Sequence, residues 1–560
     1  MAKRTKTSKP APPREKSLDI ESLPYFVPAA FVVILIGLLI LFREFIFSNQ
    51  MLHGSDMIQA GVYFRSFLID YFAEHGSVPQ WNPYIFGGMP YVDAFHGDIF
   101  YPLSMLKYVW PIFRILGLNL FFHIFLAGVF MYFAARQFNL SKTASILAAV
   151  CYTFAPYIVS FVSPGHDGKL FVTALFPLLI LFLDRGFESR TLVRAILNFT
   201  VLGLTIGFVL LTPHPQMSYF ALWAVAFYAV FKLIVKWRGS KSIPALIRPA
   251  TLAAYAVGIG LALSAIQYYP SYIYTTTFSP RAADDSKSGW GWATSWSLHE
   301  EEAFSLLIPE FSGTNAREEG TYYWGKNAFK DNSESVGVVA LFIALIGFFC
   351  YRRKESYFLG GLAIFALIYA LGATTPIFRL FFYLIPKVQS LRAPSMIMFM
   401  FSYSVALLAG MGLQVIIDKG PGLWKKSGKR FTYLVIGFPG LLLLLALAFG
   451  AGGRGMLTLW SSLFYSEASS IQVARGVTRL DVGMMNLPAI QSGAWWAFLF
   501  VAAAAACLWL YRSGKVGKGV FLALLLIPMI DGIRFNQRFI DTLDPSSIWA
   551  GNPIADFFNR

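Results

Sequence analysis

Residues 50–102 concentrate side chains that could carry out acid–base chemistry beside aromatic rings. Asp56 follows shortly after an apolar run, residues 24–42. Its carboxylate could take a proton from a hydroxyl group within hydrogen-bond reach. The competing interpretation is that Ser55 or Asp56 only caps a helix, because the apolar spacing of residues 57–73 predicts an amphipathic helix in the membrane interface.

Further candidates follow in the same stretch. Trp81 lies in a turn-rich segment, and Asp93, His96 and Asp98 come close behind it. Aromatic faces and carboxylates beside a membrane would suit a sugar ring and its hydroxyl groups. They would equally suit the aromatic belt that forms where a protein meets the membrane–water interface.

Basic residues near later membrane-entry points could bind a phosphate group. Lys169 shares one short turn with His166 and Asp167, and Arg281 and Arg392 lie in later loops. A planar guanidinium can bind phosphate through two donors. The simpler interpretations are a polar turn for the first group and, for Arg392, a side chain that extends from the membrane to water.

The chemistry predicted for these residues is sugar and phosphate binding around one acid. Lys169, Arg392 and Arg281 are expected to hold a lipid phosphate near Asp56. The expected sugar contacts are Trp81, Asp93, His96, Asp98, His166 and Asp167. The spacing of the carboxylates and histidines matches no defined metal motif, although they could hold a divalent cation, and no cofactor is predicted with certainty.

The composition shows that membrane-spanning helices must position these residues. Of the 560 residues, 56% are hydrophobic and only 14% are charged, whereas soluble proteins average about 25% charged residues. A helix needs roughly 20 apolar residues to cross a bilayer. The apolar runs lie near residues 24–42, 118–136, 144–162, 170–184, 194–212, 216–235, 250–270, 335–350, 356–372, 395–417, 431–450, 492–511 and 519–533. We therefore expect an all-α polytopic membrane protein with about 13 transmembrane helices.

The charge distribution predicts the orientation of the chain. With the N-terminus inside, the inner segments carry a net charge of +20 and the outer segments −4. Positive charge concentrates on the cytoplasmic side of membrane proteins, so we expect a cytoplasmic N-terminus. The same rule accounts for the net charge of +16, so no nucleic-acid partner is needed to explain the excess of basic residues. The first apolar run is interpreted as a retained signal anchor, and an odd number of crossings would leave the C-terminus outside.

The expected organisation has five parts. They are a basic cytoplasmic tail (1–23), a catalytic module (24–270, with the first outer loop at 43–117), an extracytoplasmic loop (271–334), a C-terminal transmembrane module (335–533) and an extracytoplasmic tail (534–560) that could be truncated. The chain has no nucleotide-binding signature on the inner side, so its chemistry is expected to face outward.

The chain resembles known proteins at two levels, a broad superfamily and a narrower family. An outward first loop with an Asp just after the first span, two interfacial helices and about thirteen spans resemble the GT-C membrane glycosyltransferases. The order of several short motifs along nearly the whole chain resembles the YfhO family of bacterial membrane proteins. These motifs are Gly54-Ser-Asp56, Trp81-Asn-Pro83, Gly87-Gly-Met-Pro90, Tyr101-Pro102, Tyr322-Tyr-Trp-Gly325 and Leu391-Arg-Ala-Pro394.

The resemblance implies sugar transfer from a polyprenyl-phosphate donor to a cell-envelope glycan or lipid, on the outer face of the bacterial plasma membrane. It assigns the role of the first-loop acid to Asp56. Members of the family often continue into a further extracytoplasmic region, whereas this chain stops at Arg560. One displacement by a base-activated acceptor would invert the anomeric centre.

Two other classes of function remain open from the sequence. A transporter or flippase of lipid-linked precursors would fit the number of spans, but transporters usually place charged residues at mid-membrane, and these spans are nearly free of them. A scaffold for an envelope-assembly complex would make Asp56 replaceable. A closed cavity on one side favours an enzyme, whereas a polar path reaching both sides favours transport.

Overall fold

The structure is a computed structural model that describes residues 20–95, 97–279, 288–316, 321–420, 423–465, 472–474 and 476–548. The first ten α-helices are α1 (Phe26–Leu41), α2 (Arg43–Ile46), α3 (Val62–His75), α4 (Ile112–Gln137), α5 (Lys142–Thr153), α6 (Pro156–Val159), α7 (Asp167–Glu188), α8 (Leu192–Leu210), α9 (Pro215–Ser240) and α10 (Pro244–Ile273). The next ten are α11 (Trp290–Ala293), α12 (Glu300–Phe304), α13 (Val338–Tyr351), α14 (Lys354–Ala370), α15 (Phe378–Leu384), α16 (Met398–Lys419), α17 (Leu423–Phe464), α18 (Arg479–Met485), α19 (Leu487–Arg512) and α20 (Val520–Asn536).

The expected all-α membrane architecture is confirmed. Within the described ranges, nine helices are long and apolar enough to cross a membrane, and the bent pair α5–α6 would make ten. All thirteen predicted runs coincide with a helix or with this pair. The difference in number comes from the shorter helices α1, α13 and α14, which have 16, 14 and 17 residues. The protein is a multi-pass membrane protein.

Helix α16 forms the centre of the bundle. Every residue from 398 to 416 is buried, and the helix packs against α5, α13 and α14. A Cβ atom at Gly347 of α13 would come within 2.0 Å of a backbone oxygen of α16. Small residues at such crossings let two backbones approach closely, which is how membrane helices gain packing energy. In contrast, α10 and α17 expose most of their surface, as expected of helices that face lipid.

The short strands tie distant parts of the chain together. They are β1 (Met51–Leu52), β2 (Trp81–Asn82), β3 (Met89–Pro90), β4 (Gln472–Ala474), β5 (Val477–Thr478) and β6 (Thr542–Leu543). Strand β1 pairs antiparallel with β6, and the amide of His53 donates to the carbonyl of Asp541 over 2.8 Å. The segment after the last span therefore lies on the same side of the membrane as the first loop. An even number of crossings must separate them.

The first loop contains the helix predicted for residues 57–73. It begins with a π-helical turn, Met57–Gly61, and continues as α3. Helix α3 buries Val62, Arg65 and Leu68. A 3₁₀ helix, Pro102–Tyr108, then leads to α4. The loop is thus fixed at both ends by membrane-spanning helices.

Candidate active site

Two loop segments pack directly against each other at the entrance to the bundle. The amide of Asp56 donates to the carbonyl of Pro164 over 3.0 Å. Gly165 has φ of +75°, and a Cβ atom there would lie 2.6 Å from the Cβ of Met57. Only glycine fits both this backbone conformation and this contact. The packing places Asp56 beside the turn that precedes α7.

A chain of hydrogen bonds joins Asp56, His166 and Lys169. Nε2 of His166 lies 3.0 Å from Oδ2 of Asp56, and Nζ of Lys169 lies 3.0 Å from Nδ1 of His166. Because the ammonium group can only donate, Nδ1 accepts and Nε2 carries the proton that is donated to Asp56. The helix-cap interpretation of Asp56 is wrong, since its side chain caps no backbone group.

The charge states of this chain follow from burial and neighbouring charge. Burial lowers the pKa of His166 to about 4, and the charge of Lys169 adds to this effect, so the ring is neutral at pH 7. The hydrogen bond from His166 lowers the pKa of Asp56, and the charges of Lys169 and Arg392 lower it further. Asp56 is therefore a carboxylate that can accept a proton.

Arg392 approaches the same site from the segment that leads into α16. The side chain of Gln216, at the start of α9, donates to the carbonyl of Arg392 and accepts from its amide. The guanidinium carbon lies 5.3 Å from the ring centre of Trp292 and 5.8 Å from that of Trp296. These contacts place a permanent positive charge close enough to Asp56 to influence its titration.

A cavity of about 250 Å³ connects these groups. Asp56, His166, Lys169 and Arg392 all line it. Its remaining lining residues are aromatic, or come from the loop before α13 or from the segments that lead into α7 and α16. They are Tyr157, Phe161, Pro164, Trp296, Phe329, Lys330, Asp331, Asn332, Glu334, Ala393, Ser395 and Met396. Four of the predicted site residues thus meet in one place.

The loop at 330–334 contributes site residues that the sequence analysis missed. Nζ of Lys330 is paired with Glu334 at 2.6 Å and lies 3.8 Å from Glu302. Asp331 is a second carboxylate in the cavity, and burial together with the charge of Asp56 raises its pKa. The sequence contained a signal that could have identified them. This charged run directly precedes the apolar run at 335–350, just as Arg392 precedes the run at 395–417.

Asp98 and Asp167, two of the expected sugar contacts, both bind a buried arginine. Nε of Arg65 donates to Oδ1 of Asp98 over 2.7 Å, and a second guanidinium nitrogen donates to Asp167. Nζ of Lys107 lies 3.3 Å from the same Asp98 oxygen. Burial raises the pKa of Asp98, but Arg65 and Lys107 outweigh it and lower the pKa below its ordinary value. This network joins the first loop to the start of α7 behind the cavity wall.

The remaining predicted site residues do not line the cavity. Trp81 covers Gly88 in the β2–β3 hairpin and is 54% exposed. Asp93 is half-buried in the following turn. His96 and Arg281 lie outside the described residues. No cluster of three or more His, Cys, Asp and Glu residues with metal-binding geometry occurs in the described part of the chain.

A second polar cavity, of about 420 Å³, lies at the other end of α7 and is lined by Asp184 and Lys232 among others. Asp184 lies fifteen residues after Lys169, which is about 22 Å along a helix at roughly 1.5 Å per residue. Most of the residues between them are apolar and buried. The two cavities share none of the described lining residues.

Comparisons with known proteins find no matching family model and no curated protein of similar sequence. Among solved structures, the chain is similar to ArnT from Cupriavidus metallidurans bound to undecaprenyl phosphate, with 13% identity, a TM-score of 0.47 and coverage of 92% of this chain and 77% of that chain. It is also similar to an Archaeoglobus fulgidus oligosaccharyltransferase tethered with an acceptor peptide, with 12% identity, a TM-score of 0.38 and coverage of 93% and 59%.

Proposed function

We propose that this protein is a membrane glycosyltransferase of the GT-C type, related to the YfhO family, which moves a sugar from a polyprenyl-phosphate donor to a cell-envelope glycan or lipid. The observation that carries the proposal is the convergence of one ionised carboxylate, Asp56, with two cations, Lys169 and Arg392, on a single cavity. An acid–base group beside a phosphate-binding pair is what transfer from a lipid phosphate requires.

The reaction begins when the hydroxyl oxygen of the acceptor attacks the anomeric carbon of the sugar. Its proton passes to the carboxylate of Asp56 as the new carbon–oxygen bond forms. The bond between the anomeric carbon and the phosphate oxygen breaks, and the phosphate leaves with the electron pair. Lys169 and Arg392 stabilise the negative charge that develops on it. A single displacement of this kind inverts the anomeric centre.

His166 positions the base in this scheme. Its Nε2–H group holds one carboxylate oxygen of Asp56, which leaves the other oxygen for the acceptor. Lys169 fixes the tautomer of the ring from the opposite nitrogen. The side chain of Asp56 is 65% exposed, so an acceptor approaching from water can reach it.

The charge distribution supports an outward-facing site. The N-terminal side of the membrane carries the excess of Lys and Arg, which favours a cytoplasmic N-terminus. With that orientation, Asp56 would lie on the extracytoplasmic face of the bacterial inner membrane. A lipid-linked sugar in the outer leaflet and an envelope acceptor would both have access there.

The separation of the two polar cavities favours an enzyme over a transporter. A transported headgroup would need polar contacts along its path, whereas the stretch of α7 between the cavities is apolar and buried. The polar groups at the Asp56 end line one cavity, which shares none of its described lining residues with the cavity at the other end of α7.

The decisive experiment compares envelope glycans in cells with the protein, cells without it and cells producing Asp56→Asn. We expect the deletion and Asp56→Asn to lose the same sugar addition, with the variant still present in the membrane. Asp70→Asn is the matched control, because Asp70 lies in the same loop but is exposed and away from the cavity. Unchanged glycans in the deletion strain contradict the transferase proposal, and full activity of Asp56→Asn contradicts the role of Asp56.

A further inference from the structure

We propose that Trp296 and Phe329 form an aromatic platform that holds the sugar ring of the donor, and that the site therefore selects a pyranose with an unbroken C–H face. This inference rests on the proposed transferase function. It concerns the specificity of the site rather than the chemical step.

The two rings meet at the wall of the cavity. Their centres lie 5.6 Å apart with an interplanar angle of 72°, and both residues line the cavity. Phe329 is 52% exposed and Trp296 is partly exposed. Neither ring is buried in the core, and each keeps exposed apolar surface that a ligand can cover.

The backbone of Trp296 adopts a strained, left-handed conformation. Its φ is +52°, a left-handed conformation that is uncommon for a bulky residue and costs of order 1–3 kcal/mol. Strain of this kind concentrates at ligand sites, where the surrounding structure enforces it. Ala393, also in the cavity wall, has φ of +52° as well.

Hydrogen bonds at the next residue hold this strained turn. The hydroxyl of Ser297 donates to the carbonyl of Thr294 over 2.6 Å and accepts from the amide of Ala373 over 3.0 Å. The side-chain amide of Asn327 donates to the carbonyl of Ser297 over 3.1 Å. The indole is thus directed to the cavity by a rigid support.

The position of the platform matches the chemistry of the donor. A single oxygen atom joins the anomeric carbon to the phosphate, so a phosphate held at Arg392 places the sugar next to that side chain. The guanidinium carbon of Arg392 lies 5.8 Å from the ring centre of Trp296. The amide of Asn332 and the hydroxyl of Ser395 line the same cavity and can bind sugar hydroxyl groups.

A pyranose whose substituents are equatorial presents axial C–H groups on each face, and this flat apolar surface can cover an indole. A furanose ring is smaller and puckered, and it covers less of the ring. Since apolar burial scales with the area covered, the platform favours the pyranose.

Trp292 provides the control for this inference. It contacts Arg392 at a similar distance, and its indole N–H donates to the carbonyl of Ser390 over 3.2 Å. It does not belong to the described lining of the cavity. A change at Trp292 tests the loss of an aromatic contact with Arg392 without the loss of the platform.

The test measures binding of three lipids to the full-length protein in detergent. They are undecaprenyl phosphate, undecaprenyl phosphate carrying glucopyranose and undecaprenyl phosphate carrying arabinofuranose. We expect the wild type to bind the glucopyranose lipid more tightly than the other two. Trp296→Ala should weaken that binding at least tenfold and change the Kd of undecaprenyl phosphate less than twofold. Trp296→Phe should keep an intermediate preference, and Trp292→Ala should leave the preference unchanged.

Two outcomes overturn the platform. One is equal weakening of all three lipids by Trp296→Ala, which would make Trp296 a support for Arg392 only. The other is the absence of a pyranose preference in the wild type. If Trp296→Ala fails to accumulate, Phe329→Leu replaces it with the same expectation. The envelope-glycan experiment with Asp56→Asn tests the transferase proposal separately from these binding measurements. Failure of the transferase proposal can therefore be distinguished from failure of the aromatic platform.

Discussion

The ammonium group of Lys169 donates a hydrogen bond to Nδ1 of His166 over 3.0 Å. This contact determines which ring nitrogen carries the proton, and the proton on Nε2 then holds Asp56. A lysine at the start of a membrane-spanning helix thus orients a carboxylate in a different loop. The same amine faces the cavity in which we place the donor phosphate.

Lys169→Met is expected to remove both effects. Loss of one charged group that stabilises a developing anion typically costs about 10²–10³ in kcat. We expect a decrease of this size, with weaker binding of undecaprenyl phosphate. Lys142→Met is the matched control, since this lysine lies at the start of α5 and donates to the carbonyl of Glu21, away from the cavity. Unchanged lipid binding in Lys169→Met would contradict the phosphate role.

The pH dependence of kcat/KM should have its acid limb near pH 4. Burial lowers the pKa of His166 to about 4, and the hydrogen bond from His166 lowers that of Asp56. Both groups keep their active forms as the pH falls from 7 to 5, and activity is lost only when the pH approaches 4. A loss centred near pH 6.5 would show that His166 titrates as an ordinary histidine.

Asp331 is the group that could complicate this profile. Burial and the charge of Asp56 raise its pKa, so it takes up a proton at higher pH than Asp56 does. A shoulder on the higher-pH side of the main acid limb that disappears in Asp331→Asn belongs to Asp331. A shoulder that persists in this variant has another origin and counts against the assignment.

Arg65→Met should destabilise the protein without a specific kinetic effect. Arg65 and Asp98 are 5% and 1% exposed in their side chains. Removing one partner leaves an uncompensated buried charge, which typically costs about 3–5 kcal/mol. We expect a lower thermal midpoint and less protein in the membrane. Arg43→Met, which removes an exposed ion pair with Glu44, should change the midpoint little. If Arg65→Met instead keeps the wild-type thermal midpoint but loses activity, Arg65 has a direct role in the site.

The pairing of β1 with β6 can be tested by a disulfide. Leu52 faces Thr542 across the two strands, and Cα atoms of such partners lie about 4.5–5.5 Å apart, within the range of a disulfide. In a background without Cys151, Cys350 and Cys507, cysteines at 52 and 542 should cross-link under mild oxidation. The control pair, 52 with 546, lies out of register and should not. Labelling of both positions from opposite sides of the membrane would contradict the shared location.

The helices were predictable because long apolar runs have few alternatives in a membrane protein. The residues of the cavity were partly predictable for a related reason. Four ionisable residues lie at the ends of apolar runs, and they are Asp56, His166, Lys169 and Arg392. Because burying a charge there is costly, their presence indicates a functional site. The composition could not show that they converge on one cavity.

The buried network could not be predicted from local pattern. Arg65 lies on an apolar helix and resembles a surface charge in the sequence, and its partners are 33 and 102 residues away. Asp98 and Asp167 consequently looked like sugar contacts. The left-handed backbone of Trp296 could not be predicted from the sequence either, because a bulky residue rarely adopts that conformation.

The bond between Gln50 and Thr542 joins residues 492 positions apart. A nascent chain can therefore insert all but its last helix and still lack the strand that pairs with the first loop. Contacts of such long range form late, since most of the chain must be in place before they can close. The β1–β6 ladder is therefore completed only once the C-terminal segment has been synthesised, whereas Pro164 and His166, the partners of Asp56, leave the ribosome much earlier.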